Sequence, residues 1–124
     1  MNSDFNTIWE TYTSSWKLET AEQKRELFEQ CLHTDCEYTD PLIKTRGWSE
    51  LLNYMLDFHK MLPGGYFETY YFLAHNNQSI AKWQMKDASN TVMGEGVSHG
   101  SYTSDGKLLT MTGFFETTGL PAEL

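Results

Sequence analysis

The chain has 124 residues, 40% of them hydrophobic and 15% aromatic, which is the length of one domain with enough apolar matter for a real core. Its net charge is −8, from 9 Lys and Arg against 17 Asp and Glu, and no cationic cluster exceeds Lys24-Arg25, which argues against nucleic acid and against an anionic membrane surface. No run approaches the roughly 20 apolar residues of a membrane helix, and Met1-Asn2-Ser3-Asp4 does not open a signal peptide, so a cytoplasmic protein is expected.

Phe5, Ile8, Trp9, Tyr12 and Trp16 recur at three- and four-residue spacing, the mark of one helix face over about residues 4–17. Thr20-Ala21-Glu22-Gln23 reads as a capping box opening a second helix. That helix turns Leu27, Phe28, Cys31 and Leu32 inward and leaves Glu22, Lys24, Arg25, Glu26 and Glu29 in water. Cys31 and Cys36 flank His33 but lack a fourth ligand and metal-site spacing, so free thiols are expected and no metal. A short strand over Cys36–Thr39 is stopped by Pro41, and Leu42 to Arg46 reads as a loop.

A third helix from about Trp48 to Met61 carries Trp48, Leu51, Leu52, Met55, Phe58 and Leu62 on one stripe, and Pro63-Gly64-Gly65 ends it. The period then changes to two. Tyr66–His75 is β-rich but aromatic on both faces, and Asn76-Asn77 makes a hairpin turn. In Ser79–Asp87, Ala81, Trp83 and Met85 alternate with Ile80, Lys82, Gln84 and Lys86. Thr91–Thr103 is a strand with glycines at 94, 96 and 100, Asp105-Gly106 turns tightly, and Lys107–Glu116 returns with Leu109, Met111, Gly113 and Phe115 on one face. Residues 117–124 read as a short tail of a single domain spanning 1–124. Helices first and an antiparallel meander after them give an α+β class: three helices from the N-terminal half on the concave face of a strongly curved antiparallel sheet. The glycines and bulges supply the curvature.

The residues that carry a resemblance are Tyr12, Leu27-Phe28, Tyr38-Thr39-Asp40-Pro41 followed by Gly47, then Trp83 and Met85, and Asp105-Gly106-Lys107-Leu108 leading to Gly113-Phe114-Phe115. In this order and spacing, from about Phe5 to Glu116, the chain resembles the nuclear-transport-factor-2-like (NTF2-like) superfamily in its small SnoaL-like and ketosteroid-isomerase-like form. The resemblance implies a cone-shaped fold, a homodimer through the outer sheet face, and no cofactor. It also places Asp40 where ketosteroid isomerases carry their base and Tyr12 where they carry a phenol donor. Their second donor, a protonated aspartate in an apolar site, has no equivalent acid here: the place falls on Ser98, with His99 beside it.

Burial disfavours a charged carboxylate, which would suit Asp40 to proton abstraction. Alternatively Asp40 caps the Leu42–Arg46 loop or pairs with Arg46. Tyr12 is either a hydrogen-bond donor in the site or a core tyrosine. Ser98 supplies one neutral hydrogen bond, and His99 an acid or base if a bulge turns it inward. Trp16, Leu51, Met55, Phe58, Trp83, Met85, Leu109, Met111, Gly113 and Phe115 are candidates for the wall of a ligand pocket. Three functions fit: a cofactor-free isomerase, cyclase or lyase on a small apolar molecule, a protein that binds such a molecule unchanged, or a dimeric module with a filled cone.

Overall fold

Phe5, Trp9, Tyr12 and Trp16 are all buried along α1 (Asn2–Lys17), as their spacing predicts. The structure, a computed structural model, describes residues 2–117, with side chains over 5–117. The tail expected over 117–124 therefore lies, from residue 118 on, outside the described residues. Thr20 caps α2 (Ala21–Cys31) in a full capping box with Gln23. β1 (Leu32–Asp40) and β2 (Ile43–Arg46) form a hairpin, and α3 (Gly47–Met61) follows. β3 (Tyr66–His75), β4 (Gln78–Lys86), β5 (Val92–Tyr102) and β6 (Leu108–Phe114) complete one six-stranded sheet in the order β2-β1-β6-β5-β4-β3.

Three expectations are corrected. The sheet is mixed, because β1 runs parallel to β6, with Tyr38 opposite Met111 and Thr39 opposite Thr112. Residues 43–46 are a strand rather than a loop, since they pair with Glu37 to Asp40. Lys24 is not in water: its chain is buried, and Nζ donates to the carbonyls of Ser15 at 2.8 Å and Trp16 at 3.5 Å. Those carbonyls end α1 and lack helical partners, so the ammonium caps them and meets the negative end of the helix dipole.

Alternation then fixes what faces the helices. On β4, Ser79, Ala81 and Trp83 are buried, while Ile80 is exposed on the outer face. Opposite them, across β5, stand Gly100, Ser98 and Gly96. Register shifts interrupt β1, β3, the β4–β5 pair and the β5–β6 pair, which bend the sheet without closing it. Among the described residues no helix is long and apolar enough to cross a membrane.

Candidate functional site

β1 ends at Asp40, and two residues earlier on the same face stands Tyr38. The Tyr38 hydroxyl donates to Asp40 Oδ2 at 2.6 Å. From α3, the half-buried Tyr54 donates to the same oxygen at 2.8 Å. The other oxygen, Oδ1, accepts the backbone N–H groups of Leu42 at 2.8 Å and Ile43 at 3.1 Å. This is the loop cap expected as the alternative to catalysis, and the loop is the tight β1–β2 connection. Arg46 is not a partner; its backbone N–H instead binds the Glu50 carboxylate at 2.9 Å. An ionised carboxylate only accepts, and four donors meet this buried one.

Both phenols remain donors across the physiological range. Burial, followed by the neighbouring Tyr12 and Asp40, pushes Tyr38 well above the usual phenol range. Burial and then the Asp40 charge do the same to Tyr54. Tyr12 is buried too, and burial raises its hydroxyl well above the usual phenol range, which the neighbouring Trp16 indole partly offsets. Tyr12 is not among the groups hydrogen-bonded to Asp40.

Rings surround this network. Trp16 touches Tyr38 (centroids 5.7 Å apart), Tyr54 (6.0 Å), Phe58 (5.6 Å) and Phe67 (5.2 Å). Phe67 continues to Trp83 at 5.1 Å, and Trp83 to Phe115 at 6.2 Å. Edge-on contacts of this kind fill the cone. A cavity of about 590 Å³, broadly open to solvent, lies beside the cluster rather than inside it. Pro41, Gly96 and Phe115 line it together with Tyr70, Lys82, Glu95 and Phe114 of the outer face, and Asp40 and Trp83 are not among its walls.

Of the expected site residues, Ser98 faces inward and accepts the Trp83 indole N–H at 2.9 Å. His99 faces outward and bonds Gln78 Oε1 at 3.0 Å; no register shift falls at residue 99, so strand alternation turns it away from Asp40. Leu51, Met55 and Met111 are wholly enclosed in the core. Met85 is half-buried, and an added Cβ on Gly94 would sit 3.6 Å from its methyl carbon. Leu109 is exposed, not a wall residue: the shift between Ser101 and Tyr102 pairs Tyr102 with Leu108, so Leu108 takes the buried place.

Tyr38 and Tyr54 are the partners of Asp40 that the site reading left out. Tyr54 lies three residues after Leu51 and four before Phe58, so helical spacing could have added it to the stripe.

No family model matches the chain, and no curated protein matches it in sequence. Solved structures do match in shape. A proposed isomerase of the SnoaL-like family from Agrobacterium tumefaciens superposes with a TM-score of 0.84 at 23% identity, covering 92% of this chain and 98% of that one. An NTF2-like protein of unknown function from Exiguobacterium sp. 255-15 gives 0.71 at 11% identity, over 90% and 99%. TerC, co-crystallised with polyporic acid, gives 0.74 at 14% identity, over 92% of both chains. The fold is therefore NTF2-like, of the SnoaL-like form.

Proposed function

We propose that this protein binds a small, mostly apolar molecule at the Pro41–Phe115 corner of the cone, with the Asp40 network as the polar end of the site. The observation that carries this is the pair of phenols on Asp40 Oδ2, set among rings where a plain core would need no carboxylate. Ligand sites combine apolar walls with a few fixed polar groups, and their volumes of roughly 300–1,000 Å³ include the cavity beside this cluster. A same-fold protein co-crystallised with polyporic acid is in keeping with such a ligand.

Tyr54 is the partner a ligand can replace. It is half-buried and reaches Asp40 by a side-chain bond alone, so a ligand hydroxyl can take its place on Oδ2. Asp40 acts as a proton-transfer base in an isomerase, cyclase or lyase only if Tyr54 first swings away. Tyr12, buried and packed against Trp9, supports the walls rather than the reaction.

The exposed apolar outer face, with Tyr71, Leu73 and Ile80, supports a homodimer through that face. Sedimentation of Ile80→Glu against the native chain checks it; a native monomer removes it.

Titration calorimetry with 2-acetylnaphthalene, a compact aromatic ketone, tests binding. Binding that Asp40→Asn abolishes, in a protein that still melts cooperatively, is expected. No heat with the native protein, or equal affinity in the variant, sinks the proposal. Deuterium uptake at the methyl group beside the ketone then reports directly on Asp40 as a base.

A further inference from the structure

We propose that the open cavity takes an organic cation, an alkylated ammonium on an apolar body, selected by Glu95 and Glu116 and by the rings of Tyr70, Phe114 and Phe115. The inference rests on the ligand-binding proposal above for its place and adds the charge that the ligand carries.

Three observations carry it. First, the walls are unbalanced in charge: two acids, Glu95 and Glu116, stand against one base, Lys82. Lys82 Nζ lies over the Tyr71 ring, 5.0 Å from its centroid, so that charge is already met. Neither carboxylate has an ion pair or a hydrogen bond among the described residues, where the acids in ion pairs are Asp57 and Glu68. The net charge of −8 adds a long-range pull on cations.

Second, the strand register gathers these groups. Lys82 pairs with Val97, and Val97 with Phe114, in one row across β4, β5 and β6. Glu95 lies two residues before Val97, on the same side of β5. Tyr70 is the extra residue where the β3–β4 register shifts between Thr69 and Tyr71, and its ring joins the cavity wall.

Third, the rings are open to a ligand. Tyr70 and Phe114 are each 57% exposed, and Phe115 is half-buried. Ring faces carry partial negative charge, so they attract an ammonium while its alkyl groups pack against them. A metal ion would need a set of oxygen ligands, and among the described residues no three His, Cys, Asp or Glu side chains gather to hold one. An anion would meet two carboxylates.

Two probes of equal shape isolate the charge: (4-hydroxyphenyl)trimethylammonium and 4-tert-butylphenol, in which carbon replaces nitrogen. Titrated at pH 6 and low salt and followed by NMR, the cation should bind roughly five-fold more tightly than the phenol, the fold-change of one cation–ring contact. Glu95→Gln and Glu116→Gln should each lower that ratio, and Lys82→Met should raise it. Phe114→Leu keeps apolar bulk without a ring and should lower it too. Glu22→Gln, which removes an exposed acid from α2, outside the cavity walls, should leave it unmoved. Equal affinities for the two probes overturn the inference, as does a Glu22→Gln effect as large as that of Glu95→Gln, which would reduce selection to the overall charge. If 2-acetylnaphthalene binds and the cation does not, the inference falls and the ligand-binding proposal stands. If none of the three probes binds, both fall.

Discussion

Two side chains with formal charge are buried among the described residues, Lys24 and Asp40, and they are held differently. Lys24 is tied only to backbone: the Ser15 and Trp16 carbonyls at the end of α1. Burial draws its ammonium down to about 8. None of its partners can leave unless the helix end unwinds. Asp40 is backbone-bound on one oxygen and side-chain-bound on the other. A phenol can rotate away where a carbonyl cannot. A buried charge with a replaceable partner, beside rings and an open cavity, is suited to meeting a ligand; one with fixed partners is suited to holding a fold.

The comparison breaks first at Lys24. Lys24→Met leaves the Ser15 carbonyl buried without a donor, and Trp16 keeps only His59, so about 2–3 kcal/mol of stability should go. Denaturant unfolding measures this, and the affinity for 2-acetylnaphthalene should not change; a variant as stable as the native chain would make the buried ammonium idle. Two glycines come next. Gly96→Ala drives a methyl into Trp83 and the Phe114 backbone and should cost about 1–3 kcal/mol. Gly113→Ala makes only ordinary contacts, so it should melt with the native protein. Equal stability losses in the two would remove the distinction between them.

Tyr54→Phe should cost only about 1 kcal/mol, because Tyr38 still donates to Oδ2. It should also tighten binding of 2-naphthol, whose hydroxyl takes the vacated place. Weaker naphthol binding would make Tyr54 a contact to the ligand, not its competitor. The thiols act only at alkaline pH. Burial pushes Cys31 up to about 12 and Cys36 to about 11, from the usual 9.0. Between about pH 9 and these values the unfolded chain loses thiol protons that the fold retains. Their contribution is whole below pH 9 and is lost as pH rises through that window. Lys24 acts with the opposite sign between about 8 and 10.5, since there the unfolded chain holds the extra proton. Denaturation of Lys24→Met with and without Cys36→Ala at pH 8 and pH 10 separates the thiol part from that of the buried tyrosines: the loss of stability between the two pH values should be smaller without the thiol. At pH 8 a disulfide reagent should label neither cysteine before unfolding.

What could be read in the sequence follows from the range of the forces involved. The Thr20–Gln23 cap, the Pro63-Gly64-Gly65 stop and the Asn76-Asn77 turn, both asparagines at positive φ, are local and were legible. So was Asp40, an acid set among apolar positions. The first half of β1 was not: His33-Thr34-Asp35 has the composition of a turn, and of this half only Leu32 pairs with distant β6, the register shifting before Glu37. Lys24 looked solvent-facing on its own helix because the carbonyls that hold it belong to another. The filling of the cone was beyond reach as well, since it depends on which way Trp16, Phe67 and Trp83 lean once three elements meet.

The parallel pairing of β1 with β6 also sets an order of events during synthesis. The β1–β2 hairpin leaves the ribosome early, and β3, β4 and β5 can pair with one another as they emerge, but no ladder joins the two groups until β6 has been made. Until then each fragment presents an unpaired edge, and the contacts that unite them span some of the longest separations in the chain, such as Tyr38 with Met111. Loops of that length make the joining step slow. Asp40 acquires Gly113 as a neighbour at the same moment. A nascent chain stalled before β6 would hold a capped carboxylate with no strand beside it, and two open sheet edges.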